Sequence, residues 1–369
     1  MIQIQQIRDN QNKILVLGNH ESLIQSVLDF DYLSDKKEGS IVGIVTGRRG
    51  FAKYFFGRRE ILIPTLTGVS RAGDLSNAQV GTAKLEGVSR KVNFWFLNLL
   101  SGRRTLSSTM ELLQLEDSSS IGDLAKGQVG TAKLGGESSR VLNFAGAALF
   151  AENVPELHSL QIINSVSLCH GGTATSPHRG ALVVGPASVG LLVPGSLKLG
   201  PIGGITPDQI FEGKITEPGS VAVMSASGGM TNELINIATQ AGHRLSFALS
   251  FGGDRFPVLS PRDAFLLAES DPQTKTILYY GELGGEDEYE LVKLKEEGKF
   301  TKPVIAHIAG TVSSLFPESP QFGHAKAKSD KERTTALAKR AALKAAGFSV
   351  SSSFSEFINL VAALGSDLR

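Results

Sequence analysis

The sequence predicts an α/β protein of two units: an N-terminal βαβ unit with a parallel sheet, then a doubly wound parallel sheet of flavodoxin type. Three observations carry that expectation. Residues 13–47 run strand, helix, strand at the spacing of a βαβ crossover. From residue 220 onward, apolar strands alternate regularly with helical patterns. Gly242, Gly298 and Gly347 stand where helix C-caps belong.

The elements follow in order. "KILVLG" (13–18) reads as a buried strand ending in glycine, and "ESLIQSVLDFDYL" (21–33) as a helix with apolar residues at 23, 24, 27, 28 and 30. "SIVGIVTG" (40–47) and "EILIPTL" (60–66) read as the next strands. The first strand-to-helix turn, "LGNHESL", lacks G-x-G-x-x-G and so says little about a dinucleotide. Between the second and third strands, "TGRRGFAKYFFGRRE" (46–60) reads as a basic loop carrying Arg48, Arg49, Lys53, Arg58 and Arg59. Two arginines in a glycine-flanked loop after a parallel strand suit a phosphate, and equally a solvated basic surface.

In the middle, "QVGTAKL" occurs at 79–85 and again at 128–134, trailed by "SRKVNF" (89–94) and "SRVLNF" (139–144). Two copies are too few for a solenoid, so a local duplication is expected. Serine-rich stretches at 117–122 and 165–178 read as loops. "ALVVGP" (181–186) reads as a strand, and the Gly/Pro-rich "PGSLKLGPIGGITPD" (194–208) as the boundary, dividing the chain into 1–196 and 197–369.

The second unit then repeats one theme. "SVAVMS" leads through "ASGG" to helix "MTNELINIATQAG". "LSFALSF" leads through "GGDRF" to "PRDAFLLAES", and "KTILYYG" through "ELGGEDE" to "YELVKLKEEG". "PVIAHIA" leads to a loop with His324 and the helical pattern "KERTTALAKRAALKAAG" (331–347); "SFSEFINLVAAL" is the last helix. In such sheets ligands bind beyond the carboxyl ends of the strands. "SASGG" (225–229), "FGGD" (251–254), "GELGG" (281–285, with Glu282), "AGT" (309–311) and the loop with His324 all follow strands and should therefore share one edge.

Composition bounds the function. With 41% hydrophobic and 20% charged residues, the chain of 369 residues can bury sizeable cores. A net charge of +1 gives no broad basic field for nucleic acid or an anionic membrane. The single cysteine, Cys169, cannot form an internal disulfide, no signal peptide is read at the N-terminus, and no apolar run reaches eighteen residues. A cytoplasmic address is expected. His170 and His178 flank Cys169 without zinc spacing, so no metal site is expected.

At the shared edge, "SASGGMTNE" (225–233) is a strand-to-helix turn whose N–H groups and helix dipole suit an anion, or merely a capped helix with glycines for packing. Glu282 could accept a proton from one nitrogen of an imidazole and leave the other nucleophilic, or could be a capping glutamate. Glu286, Asp287 and Glu288 read as structural acids at a helix start, and His307 as a core histidine.

"PGSVAVMSASGGMTNEL", "GGDRFP", "DPQTKTILYYGELGGEDEYE", "GKFTKPVIAHIAGT" and "QFGHAKA", in this order, resemble the succinyl-CoA synthetase α-subunit and ATP-citrate lyase superfamily. "VLDFDYL", "EILIP", "STMELL", "VVGPASVGLLVPGSLKLG" and "FSVSSSFSEF" extend the resemblance over roughly residues 12–66 and 180–360. The resemblance is nearest to the citryl-CoA synthetase small subunit, because the chain ends where the lyase branch continues into a citryl-CoA-cleaving module. It implies a Rossmann-like CoA-binding domain followed by a flavodoxin-like ligase domain. It implies His324 as a phosphohistidine held by Glu282, with Ser225, Ser227, Gly228 and Gly229 receiving the phosphate. It implies CoA contacts at Gly18, Asn19, Arg48 and Arg49, and, through "FAENVPE" (150–156), at Glu152 and Asn153. ATP and Mg²⁺ would reside mainly on an ATP-grasp β-type partner in a hetero-oligomer, with citrate and CoA as substrates. An ATP-citrate lyase subunit, a succinyl-CoA synthetase α subunit and a non-catalytic CoA-binding scaffold remain the alternatives. The chain departs from the lyase branch at Ala226 (Arg there), at Lys326 (Gly) and at Pro201–Ile202 (Asn-Thr).

Overall fold

The computed structural model describes residues 1–67, 92–114, 142–171, 180–324, 327–329 and 331–365. Both copies of "QVGTAKL", the 117–122 stretch, His178 and Lys326 lie outside the described residues.

The first sheet holds β1 (Gln11–Leu17), β2 (Ile41–Val45), β3 (Gly50–Phe56), β4 (Arg59–Leu66), β5 (Val92–Asn98), β6 (Leu142–Leu149) and β7 (Leu182–Val184), with helices α1 (Ile4–Asp9), α2 (Glu21–Leu33), α3 (Gly102–Gln114) and α4 (Glu156–Gly171). Its order is β3-β4-β2-β1-β5-β6-β7. All neighbours are parallel except β3, an antiparallel edge strand against β4. Leaving β3 aside, the strands run 3-2-1-4-5-6, the Rossmann order, with its reversal between β1 and β5. β1 is buried along most of its length, as a central parallel strand requires. α2 turns Leu23, Ile24, Val27, Leu28 and Phe30 into the core, and its last turn ends at Ser34, whose N–H bonds the carbonyl of Phe30.

The second unit holds β8 (Leu191–Val193), β9 (Leu197–Leu199), β10 (Pro218–Ser225), β11 (Leu245–Ser250), β12 (Thr276–Glu282), β13 (Val304–Ala309) and β14 (Ser349–Val350). Its helices are α5 (Pro207–Glu212), α6 (Gly228–Gln240), α7 (Pro261–Ser270), α8 (Asp287–Glu296), α9 (Ala336–Ala345) and α10 (Phe354–Ala362). The sheet order is β14-β13-β12-β10-β11-β8-β9. Its five parallel strands run 2-1-3-4-5 from β11 to β14, the flavodoxin order, with the reversal between β10 and β12. Each long helix starts on a hydroxyl cap, Ser227, Ser260, Thr335 or Ser353, except α8, which starts on Glu286. Gly242, Gly298 and Gly347 follow the helix ends with positive φ, as their positions predict.

The structure corrects three local expectations and shows where the expected division falls. The basic stretch at 46–60 is mostly a β-hairpin, because Phe51 to Phe56 pair residue by residue with Arg59 to Pro64. Residues 165–171 continue α4 rather than forming a loop. α9 starts at Ala336, not Lys331, because extended Thr335 caps it by accepting from the Ala338 N–H. β8 and β9 form one antiparallel hairpin within the second sheet, so a division after residue 196 passes through that hairpin.

The duplicated tails prove to be strand partners: Val92, Asn93 and Phe94 of β5 stand opposite Leu142, Asn143 and Phe144 of β6. The two units share one apolar core, in which Ile14 and Val16 belong to the same cluster as Phe247, Phe265 and Tyr279. A polar clasp adds to it: Arg8 on α1 holds Asp271 after α7 through two bonds of 2.6 and 3.0 Å. Burial works to raise the Asp271 pKa, but the bonds from Arg8 and Thr274 outweigh it and hold the carboxyl below its usual range. Among the described residues no helix is long and apolar enough to cross a membrane.

Candidate active site

The reversal between β10 and β12 opens a crevice at their carboxyl ends, and two of the expected residues end those strands. Ser225 closes β10 and Glu282 closes β12. Ser225 is fully buried, and its Oγ accepts the Ser227 N–H at 3.0 Å. It shapes the turn and is not in the lining of the cleft. Ser227 caps α6 by accepting from the Met230 N–H. Gly228 and Gly229 are the first helical residues. A side chain at Gly228 would collide with Val189, whereas at Gly229 there is open space. The N-terminus of a 13-residue helix is thus bare of side chains where an anion would approach.

After β13 the chain reverses at Gly310, which has φ +99°, and passes through a 3₁₀ turn, Thr311–Leu315, into the histidine loop. Internal bonds shape this loop: the Ala327 N–H donates to the His324 carbonyl at 3.0 Å, and the Ser329 N–H to Ser319 Oγ at 3.1 Å. The imidazole Nδ1 of His324 lies 2.9 and 2.8 Å from the two carboxylate oxygens of Glu282. Glu282 accepts, so Nδ1 carries the proton, and Nε2 is the nitrogen with nucleophilic capacity. Gly253, after β11, packs against the ring: a methyl group there would sit 2.4 Å from Cδ2 and 2.8 Å from Nε2.

Glu282 is anchored from behind. The buried Lys339 ammonium donates to the Glu282 main-chain carbonyl at 2.7 Å and pairs with the buried Glu288 at 2.6 Å. Tyr279 donates its hydroxyl to Glu288 at 3.1 Å. Burial pushes the Glu288 carboxyl up, and Lys339 pulls it back. Glu288 is structural, as its place at a helix start suggests, yet it sits directly beneath the dyad. His307 is the buried core histidine that its strand predicts; its Nδ1 lies 2.8 Å from Ser351 Oγ, and burial lowers its pKa to about 4.

A cleft of about 220 Å³ unites Phe150, Glu152, Asn153, Ala187–Val189, Ser227–Gly229, Gly253, Asp254, Gly323 and His324. It brings together His324, Ser227, Gly228, Gly229, Glu152 and Asn153 from the expected set, with Glu282 bonded to its histidine. Gly18, Asn19, Arg48 and Arg49 are not in its lining. Gly18, with φ +95°, and Asn19 follow β1, and the Tyr54 hydroxyl reaches Asn19 at 3.4 Å. Arg48 and Arg49 are exposed in the β2–β3 turn. These four mark the reversal edge of the first sheet.

Sequence reasoning placed Gly253 and Asp254 on the shared edge without giving either a role, and missed the Ala187–Val189 turn and Lys339 as parts of the site. "GGDRF" follows a parallel strand on the same edge, which is the signal that could have singled out Gly253 and Asp254. Asp254 Oδ2 accepts the Val154 N–H at 3.1 Å. Burial raises the Asp254 pKa, opposed by bonds from the Val154 and Asn153 main-chain amides. No cluster of three or more His, Cys, Asp or Glu side chains fit to hold a metal occurs among the described residues.

Residues 224–349 match the CoA-ligase family model. The Arabidopsis thaliana ATP-citrate synthase beta chain protein 1 is 35% identical over 94% of this chain and 49% of its own length. The human ATP-citrate synthase is 32% identical over 96% of this chain and 28% of its own length. Among solved structures, the Methanosaeta concilii ATP citrate lyase in complex with (3S)-citryl-CoA matches with a TM-score of 0.78 and 31% identity. That match covers 96% of this chain and 49% of the other. The chain therefore spans about half the length, or less, of these relatives.

Proposed function

From a CoA-ligase domain and homology, along nearly its whole length, to part of the ATP-citrate synthases, we propose that this chain carries the acyl-CoA-forming chemistry of a citryl-CoA synthetase. The observation that supports it best is His324 held by both oxygens of Glu282, with His324 lining the same cleft as the bare N-terminus of α6.

In this reading Nε2 of His324 attacks the γ-phosphorus of ATP and ADP leaves. Glu282 holds the ring in the tautomer that leaves Nε2 basic, and offsets the positive charge that forms. The transferred phosphoryl group rests on the N–H groups of Gly228 and Gly229, beside the Ser227 cap. A citrate carboxylate oxygen then takes the phosphoryl group, giving citryl phosphate and restoring the imidazole. The CoA thiolate attacks the acyl carbon, inorganic phosphate leaves, and citryl-CoA forms. CoA would lie along the reversal edge of the first sheet, over Gly18, Asn19, Arg48 and Arg49, with its thiol end directed toward Glu152 and Asn153. Following the family resemblance, ATP and Mg²⁺ are assigned mainly to an ATP-grasp partner, in a cytoplasmic hetero-oligomer.

The test combines the chain with that partner, γ-labelled ATP and Mg²⁺, and follows acid-labile, base-stable label on His324. Label discharged by citrate plus CoA and absent from His324→Asn supports the reading. Discharge by succinate alone moves the assignment to a succinyl-CoA synthetase. No label with a competent partner leaves a CoA-binding scaffold.

A further inference from the structure

The turn Glu152–Val154 belongs to the first unit, yet it lines the cleft beside His324. Three contacts fix it. Asn153 adopts φ +56°, a left-handed conformation that asparagine tolerates better than most residues. That turn presents the successive amides of Asn153 and Val154 to one acceptor, forming a small nest for an anion. The carboxylate of Asp254, from the second unit, fills the nest. On another side, the turn's carbonyls pack onto Gly102 at the start of α3, where a methyl group would come within 2.9 Å of the Asn153 oxygen. Ala187 joins the same seam: its N–H donates to the Ala151 carbonyl at 2.7 Å, and its own carbonyl accepts the Gly253 N–H at 3.2 Å. The residue that touches the imidazole and the residue that holds the turn are therefore chain neighbours, Gly253 and Asp254.

Building on the reading above, we propose that Asp254 is a positioning residue: by occupying the Asn153–Val154 nest it fixes the thiol-receiving turn of the first unit against the phosphohistidine cleft of the second. Its role is geometric. The main-chain N–H bonds satisfy the carboxylate, and no proton moves through it. The substrate it serves is the pantetheine arm of CoA, so its loss should register on the CoA step more than on the ATP step.

The experiment compares Asp254→Ala and Asp254→Asn in the full chain. Hydrogen–deuterium exchange of the peptide covering 150–156 reads the clamp directly. Steady-state kinetics with the ATP-grasp partner read KM for CoA against KM for ATP. Asp254→Ala should speed exchange in that peptide at least fivefold and raise KM for CoA about tenfold more than KM for ATP. Asp254→Asn keeps an acceptor oxygen in the nest and should recover most of both. Unchanged exchange at 150–156 in Asp254→Ala overturns the clamp. Faster exchange with equal effects on the two KM values overturns the assignment to the CoA step. If Asp254→Ala does not fold, Asp254→Ser, whose hydroxyl falls short of the nest, replaces it. A wild-type chain that takes no label from ATP would count against the phosphohistidine reading, while the exchange data would still judge the clamp.

Discussion

Gly253→Ala probes how tightly the imidazole is placed. Gly253 is not among the glycines with positive φ, so alanine meets no backbone penalty of that kind. The obstacle is the new methyl group, 2.4 Å from Cδ2 and 2.8 Å from Nε2 of His324. Nonbonded carbons settle at about 3.5–4.0 Å, so the ring must retreat by about 1 Å. Its bonds to Glu282 are 2.8 and 2.9 Å long, and a shift of that size takes them out of hydrogen-bonding geometry. A misplacement of about 1 Å at a reacting group costs roughly 100-fold in rate. The assay is single-turnover labelling of His324 from γ-labelled ATP with the ATP-grasp partner, beside a thermal melt. Labelling should slow about 100-fold on that principle. The melt should barely move, because the His324 side chain is 30% exposed and yields more readily than core. Labelling within threefold of wild type would refute the claim that Gly253 sets the ring.

Three further outcomes follow from the geometry. Glu282→Gln keeps an acceptor but loses the charge; with charge-assisted bonds worth about 1.5–3 kcal/mol, labelling should slow roughly 10- to 100-fold, and a change below twofold contradicts the dyad. Gly229→Ala has room for its methyl group and gains helix propensity, so stability in urea should rise by up to about 1 kcal/mol while inorganic phosphate binds more weakly; equal phosphate affinity would remove α6 from the site. Lys198 is buried, donates to Ser26 Oγ and the Gly200 carbonyl at 3.0 and 2.8 Å, and has its pKa lowered to about 7 by burial, with Asp31 and Asp29 pulling it back. Its folded pKa lies below its unfolded one, so the cost of its charge is full below about pH 7 and fades as pH rises toward its usual value near 10.5. Lys198→Met should therefore gain on wild type by a few kcal/mol at neutral pH and lose that gain by pH 10; parallel urea midpoints across this window would contradict it.

The strands and most helices were legible because their patterns are strong. Buried parallel strands are unbroken apolar runs, and hydroxyl caps and following glycines punctuate the helices. From topology alone the pairing of His324 with Glu282 was legible only as a shared edge, because topology sets which strand ends meet and not the distance between side chains; the family resemblance supplied the pairing. β3 was hidden by the basic residues that flank it: an edge strand can also carry Lys53 and still pair fully with β4. Asp254 and Lys339 were hidden for another reason. Their roles lie in bonds to main-chain atoms far away in the chain, and such bonds leave no spacing to read. The burial of Ser225 was not legible, because a hydroxyl in a glycine turn looks alike whether it faces the cleft or the core.

The cleft draws on chain segments near residues 150, 187, 228, 253 and 324. No contiguous fragment of the fold holds a working portion of it. Loops closed over such separations form late, since their entropy must be met before their contacts count. The cleft is accordingly a property of the finished chain, and a partly folded molecule has no assembled cleft.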